Sequence, residues 1–208
     1  MDERADAIAK WLGTGSINVF GVPFAGKDTQ CTVLAKLLGA VVISSGDILR
    51  HDHGNAEIQR IMAEGGIIPS DLFATVMTPY LARDEFDGKP LILSEVGRVE
   101  GEQYVVMKAA AESGHAVKAV ILLRLSNEEA FRRFDAAQTS HDRGARADDR
   151  REVLQTRLNA YEAMVTPVIE YYREHRLLVE VDGSLSRERV TEEIINAVTA
   201  FASKSIQA

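Results

Sequence analysis

Gly21 and Gly26 bracket four residues, and Lys27 follows, in the run Ile17-Asn-Val-Phe-Gly-Val-Pro-Phe-Ala-Gly-Lys-Asp-Thr29. A short apolar stretch ends at Gly21 and a helix-compatible segment starts at Lys27. Strand, glycine-bracketed loop and helix in that order form a phosphate-binding loop, or P-loop. Its successive backbone N–H groups point inward, the helix N-terminus adds partial positive charge, and Lys27 brings a mobile ammonium to the outer phosphates. Position 28, where the common motif carries Ser or Thr, is Asp28; the hydroxyl comes one residue later, at Thr29. The competing reading is a glycine-containing strand-to-helix turn that binds nothing, and the flanking strand and helix argue against it.

Two further runs place arginine beside small residues. In Ser44-Ser45-Gly46-Asp47-Ile48-Leu49-Arg50, Ser44 or Ser45 suits a helix cap, Asp47 suits the first turn, and Arg50 is spaced to fork onto a phosphate. Ser94-Glu95-Val96-Gly97-Arg98 repeats the theme after another apolar run. Arg143, Arg146, Arg150, Arg151 and Arg157 crowd a later segment, mixed with Asp142, Asp148 and Asp149. The bland account is a salt-bridged helix face capped by Asp148. Arg146 and Arg157 lie eleven residues apart, so a single helix covering both would point them the same way. His51, His53, His115, His141 and His175 show no metal-ligand spacing, and His51 and His53 read as solvated loop residues. Cys31 is the only cysteine, which excludes an internal disulfide and a cysteine-based zinc site; it reads as a small core hydrophobe. Tyr161, Met164, Tyr171 and Tyr172 read as helix packing on a core.

The elements that position these residues alternate. Strands are expected at 17–21, 40–44, 90–94, 117–124 and 177–181, with helices near 3–12, 27–38, 55–64, 70–83, 101–112, 127–136, 149–174 and 186–203. Val41-Val42-Ile43, Pro90-Leu91-Ile92-Leu93 and Val120-Ile121-Leu122-Leu123 are apolar without alternation, as in a parallel sheet covered on both faces. The chain therefore reads as one α/β domain whose ligands gather beyond the carboxyl ends of the strands. The polar segment 137–147 has the length of a loop over such a site. The 208 residues carry a formal net charge of -7, which argues against bulk nucleic-acid or membrane binding. The acidic start lacks a signal-peptide pattern, and no apolar run approaches the roughly 20 residues of a membrane span, so a cytoplasmic protein is expected.

Taken in order, GVPFAGKDTQ, SSGDILR, EGGIIPSDL, LILSEVGR and RADDRREVLQTRLNAYEAMVTPVIEYY, followed by VDGS, resemble the adenylate kinase family of nucleoside monophosphate kinases. The resemblance covers residues 17 to about 200. It implies a P-loop NTPase three-layer sandwich around a five-stranded parallel sheet, with an N-terminal helical extension at 1–16 and a kinase-like domain at 17–208. It also implies a small helical acceptor-binding insertion at about 45–80 and a short lid at about 137–147. The implied reaction moves the γ-phosphoryl of ATP to a nucleoside monophosphate. Phe24, Ala25, Gly26, Lys27, Asp28 and Thr29 would hold the ATP phosphates, with Arg133 and Gly183 beside the ATP base. Ser45, Arg50, Gly66, Ile67, Ile68, Glu95, Gly97, Arg98 and Glu102 or Gln103 would face the acceptor. Lys27, Arg98, Arg146 and Arg157 would be catalytic, the last two clamping the transferring phosphoryl. The implied cofactor is Mg2+ with ATP, held mainly by phosphates and water; a lid this short, without cysteines, leaves no room for zinc. The implied partners are the two nucleotides alone, bound by a monomer.

Several positions depart from the family pattern. Phe24 and Asp28 replace glycines; Phe24 adds bulk and cannot take positive φ cheaply, and Asp28 sets a negative charge beside the anion unless it faces away. Ser94-Glu95-Val96-Gly97-Arg98 stands where relatives read Asp-Gly-Phe-Pro-Arg. Ser94 thus replaces the Asp that organises water around magnesium, and Glu95 substitutes only if the strand end shifts. Ala137 replaces a second ATP-side Arg, with Arg143 available to stand in. The glutamine that reads the acceptor adenine aligns with Glu102, or with Gln103 after a one-residue shift; Glu would suit the donor edge of guanine or cytosine. Ser45 keeps the small hydroxyl of adenylate-type members, which favours AMP. The alternatives are GMP, CMP, UMP or a non-nucleotide acceptor, or a nucleotide-binding protein with weak or no catalysis.

Overall fold

A computed structural model describes residues 3–51, 55–64, 68–140 and 150–207. In chain order it runs α1 (Glu3–Leu12), β1 (Ser16–Gly21), α2 (Lys27–Leu38), β2 (Val41–Ser44), α3 (Ser45–His51), α4 (Ala56–Ala63), α5 (Ser70–Leu81) and β3 (Leu91–Ser94). It continues through α6 (Glu102–Glu112), β4 (Val117–Arg124), α7 (Asn127–Ser140), α8 (Arg151–Glu174), β5 (Leu178–Asp182) and α9 (Arg187–Gln207). The strands form one parallel sheet in the order β2-β3-β1-β4-β5. β1 lies at its centre, so the loop that leaves Gly21 emerges between the ends of β3 and β4.

The uninterrupted apolar runs are explained by helices on both faces of the sheet. Phe20, Leu91, Leu93 and Val120 join Ile48, Phe73, Met77, Val106, Val168 and Tyr172 in one core, under α3, α5, α6 and α8. Ile17, Val19, Ile92 and Ile121 join Ile8, Leu12, Leu34, Val190, Ile194 and Val198 in the other, under α1, α2 and α9. A third cluster of Ala130, Phe134, Leu154 and Leu158 ties α7 to α8, with Val22 and Phe24 against it. Cys31 is buried in the second core and Tyr172 in the first, as the sequence reading expects.

Two boundaries correct that reading. α7 continues to Ser140, so the first four residues of the expected 137–147 loop are the end of a helix; 141–147 lie outside the described residues. α8 starts at Arg151, capped by Arg150 in an extended conformation, with Leu154 N donating to Arg150 O. α8 therefore carries Arg157 without Arg146, and both Arg146 and the expected cap Asp148 lie outside the described residues. Among the described residues no helix is long and apolar enough to cross a membrane.

Candidate active site

The loop after β1 closes with Ala25 N donating to Val22 O, and Gly26 then caps α2 at φ +86°. That left-handed turn, which Gly adopts without steric cost, swings the chain into α2. Gly26 has no side chain with which to cap the first-turn amides, so they are left to an outside acceptor. Phe24 takes φ +68° despite its Cβ. Its ring meets Phe134 edge-on, with centroids 5.5 Å apart at 85°, and its carbonyl accepts from Arg133 at 3.2 Å. The bulk that the sequence set against the anion is turned onto α7 instead.

Lys27, on the first turn of α2, donates to Glu95 Oε2 at 2.5 Å. The other oxygen of Glu95, Oε1, is buried without a hydrogen-bond partner. Glu95 sits at φ +55° just beyond β3, where its own carbonyl accepts from Ser45 Oγ at 3.0 Å. Asp28 reaches the same strand end: Ser94 Oγ donates to Asp28 Oδ1 at 3.2 Å. Two carboxylates thus gather at the end of β3, one from α2 held by Ser94 and one from the loop after β3 held by Lys27. Burial pushes the Cys31 thiol behind them up to about 11, so it stays a thiol.

Asn18 was not singled out from the sequence, yet it sets this geometry. It is fully buried in β1, donates through Nδ2 to Val96 O at 2.7 Å and accepts from Val96 N at 3.3 Å. Val96 is thereby pinned between the left-handed residues Glu95 and Gly97. The available signal was one amide inside an otherwise apolar strand. Tyr161 of α8 packs against the first core, as expected, and its hydroxyl is buried beside this cluster without a hydrogen-bond partner. Burial first, and then the charge of Glu95, push its pKa well up.

Arg133 and Gly183, expected together, are together. The guanidinium donates to Gly183 O at 2.6 Å, Leu185 O at 3.3 Å and Phe24 O, so it ties the P-loop to the turn after β5. Glu129 holds it from below at 2.9 Å. Hydrogen bonds from Arg132 and then Arg133 lower the Glu129 pKa to about 2.

On the other flank, Asp47 accepts from Ser44 N at 2.9 Å, Ser44 Oγ at 2.6 Å and Arg50 at 3.0 Å. Burial opposes its charge, but these donors outweigh it and hold the carboxyl below its usual range. Arg50 is otherwise solvent-exposed, and Ile68 is buried; Gly66 and Ile67 lie outside the described residues. Arg98 follows Gly97 and is exposed. Glu102 and Gln103 are both buried at the start of α6, where each holds the turn: Val99 N donates to Glu102 Oε2 at 3.0 Å, and Gly101 N to Gln103 Oε1 at 2.7 Å. Burial raises the Glu102 pKa against the pull of the Val99 and Arg98 amides and of the Arg98 charge. Arg157 is exposed on α8, and Arg146 and Arg143 lie outside the described residues.

Everything brought together at this edge can neutralise and orient phosphates, with backbone amides, one lysine and scattered arginines. A family model described as adenylate kinase matches residues 19–177. The adenylate kinase of Micrococcus luteus is 30% identical over 190 residues, 89% of this chain and 91% of its own. That of Nitrobacter winogradskyi is 32% identical over 185 residues, 85% of this chain and 89% of its own. That of Thermus thermophilus is 32% identical over 180 residues, 83% of this chain and 91% of its own.

Proposed function

The chain belongs to the adenylate kinase family, and from that premise we propose that it transfers the γ-phosphoryl of ATP to AMP, yielding two ADP. The observation that carries this is Lys27 at the mouth of an uncapped helix, between the ends of β1 and β3. In the reaction an oxygen of the acceptor phosphate forms a bond to the γ-phosphorus as the bond from γ-phosphorus to the β,γ-bridging oxygen breaks. The bridging oxygen leaves with ADP. Little covalent chemistry is asked of the protein, so its part is positioning and charge stabilisation.

In this reading Phe24, Ala25, Gly26, Asp28 and Thr29 line the triphosphate, and Lys27 exchanges Glu95 for the β- and γ-phosphate oxygens. Arg133, already fixed to Gly183 O, flanks the ATP base. Ser45, Arg50, Gly66, Ile67, Ile68, Gly97 and Arg98 take the acceptor. Gln103 is favoured over Glu102 for the acceptor base. An amide can both donate and accept, as the ring nitrogen and exocyclic amino group of adenine require, whereas a carboxylate only accepts, and Glu102 Oε2 already takes Val99 N. Arg146 and Arg157 clamp the moving phosphoryl, and 137–147 closes over it to exclude water. The donor set suits Mg2+: two carboxylates stand beside the phosphate seat, and one oxygen of Glu95 is buried and orphaned. When bound, Mg2+ neutralises charge on the β- and γ-phosphates. We read the protein as a cytoplasmic monomer with no nucleic-acid or membrane partner, and residues 1–16 as an extension of the kinase domain.

The test is ADP formation from ATP and Mg2+, with AMP, GMP, CMP and UMP offered separately. Turnover is expected with AMP, falling by about tenfold or more in Lys27→Ala through loss of charge at the phosphates. Near-normal turnover in that variant would sink the P-loop assignment. ATP binding with no transfer to any acceptor would favour a nucleotide-binding protein, the reading that the Lys27–Glu95 pair supports as runner-up.

A further inference from the structure

At the phosphate seat of this chain two carboxylates accompany Lys27. Lys27 is paired with Glu95, and Asp28, one residue on, turns its carboxylate to the end of β3 rather than out along the helix. An acid on the first turn of a helix favours the helix itself. Here, however, it is also a like charge facing a triphosphate, and Coulomb repulsion between the two weakens metal-free binding. Two observations point to what reconciles them. Ser94, buried, commits its hydroxyl to Asp28 Oδ1 and so holds that carboxylate at the end of β3. Glu95 Oε1, the oxygen that Lys27 does not hold, is buried without a hydrogen-bond partner. A cation between the two carboxylates and the phosphates would satisfy all three.

We infer that Asp28, oriented by Ser94, is the carboxylate that receives the divalent cation carried in on the nucleoside triphosphate, from α2 rather than from the strand end. The inference rests on the kinase reading above. Asp28 is exposed, so it can meet a hydrated ion without giving up a buried position. Mg2+ typically binds in this way, through one or two carboxylates and substrate phosphates while keeping several waters. Among the described residues no three His, Cys, Asp or Glu side chains converge to hold a metal by themselves, so the phosphates must supply the rest. Relative to the family pattern the carboxylate has moved across the 3.2 Å hydrogen bond, with Asp28 on the helix in place of a glycine and Ser94 at the strand end in place of an aspartate.

The consequence is a coupling between metal and nucleotide that turnover need not report. ATP affinity is measured by calorimetry with Mg2+ and with EDTA, in the wild-type chain, Asp28→Asn, the double variant Asp28→Asn/Ser94→Asp, and Lys27→Ala. Wild type is expected to bind ATP more tightly with Mg2+ by well over about tenfold, within the usual range of coupling between two ligands. Asp28→Asn should bind metal-free ATP more tightly than wild type and lose about tenfold of the Mg2+ enhancement. Returning a carboxylate at position 94 should restore most of that enhancement. A purely structural Asp28 would change the melting temperature and leave the enhancement alone. The inference is overturned if Asp28→Asn keeps the wild-type enhancement, or if the double variant fails to regain it. Either result leaves the kinase reading standing, provided Lys27→Ala weakens ATP under both conditions. A wild-type chain that binds no ATP with or without Mg2+ removes both.

Discussion

Phe24 holds a backbone conformation that L-residues avoid, φ +68°, at the point where the P-loop turns toward α2. Left-handed backbone costs a non-glycine residue about 1–2 kcal/mol, so something must hold it there. The holders are visible: the edge-on contact with Phe134, the cluster of α7 and α8 beneath the ring, and Arg133 on the carbonyl. Comparing Phe24→Gly with Phe24→Ala separates strain from packing, because both lose the ring and only glycine relieves the φ. The glycine variant is expected to be the more stable of the two by about 1 kcal/mol in urea unfolding; equal stabilities would mean that the turn is unstrained. The sequence made the strain legible, since a Phe had replaced a glycine. It could not reveal the relief, because Phe134 is 110 residues away along the chain. Asp28 gives the same lesson. Its charge next to Lys27 was plain, but its partner Ser94 is 66 residues distant and known only once β1 and β3 pair.

At the scale of elements, the link between β3 and α6 is the least regular part of the site. Glu95, Gly97 and Gly101 all have positive φ, and Asn18 fastens Val96 between the first two. A Cβ on Gly97 would lie 2.4 Å from Val106 Cγ2, inside the core of α6, as well as in left-handed backbone. Gly97→Ala is therefore expected to destabilise by about 2–3 kcal/mol, combining strain with overpacking. Its ATP affinity should fall only if the shift reaches Glu95. An unfolding midpoint within error of wild type would show that the link repacks freely. Strands and most helices were readable here because unbroken apolar runs have one good solution, a doubly covered parallel sheet. Their ends were less so. Ala136-Ala137-Gln138 are good helix formers, and α7 runs on through them where polarity alone suggested a loop. The link after β3 has no periodicity to read, and its shape depends on a buried amide from another strand.

For the whole molecule the open question is whether α1 is an appendage or part of the domain. Its residues Ile8 and Leu12 are 2% and 0% exposed, in the same core as Ile17, Val19 and Leu34. Trp11 meets Phe201 of α9 edge-on at 6.1 Å, and Lys118 Nζ donates to Trp11 O at 2.7 Å. Burying two such aliphatic side chains contributes about 3–6 kcal/mol, a large part of the 5–15 kcal/mol or so that holds a domain folded. α1 packs against α9 and α2, on the second face of the sheet. The phosphate seat lies at the far edge, where Gly26 and Lys27 begin α2. Removing residues 1–13 should therefore lower the melting temperature by about 10 °C or more. The upward shift produced by saturating ATP and Mg2+ should survive, because that shift depends on ligand affinity and not on the starting stability. Thermal unfolding with and without nucleotide reads both effects at once. An unchanged melting temperature would make α1 dispensable, whereas a lost nucleotide shift would mean that α1 holds the P-loop in place through α2. Stability and phosphate binding are expected to separate because Leu34 and Leu38 of α2 share a core with Ile8 and Leu12 of α1, whereas the proposed phosphate seat lies at the first turn of α2.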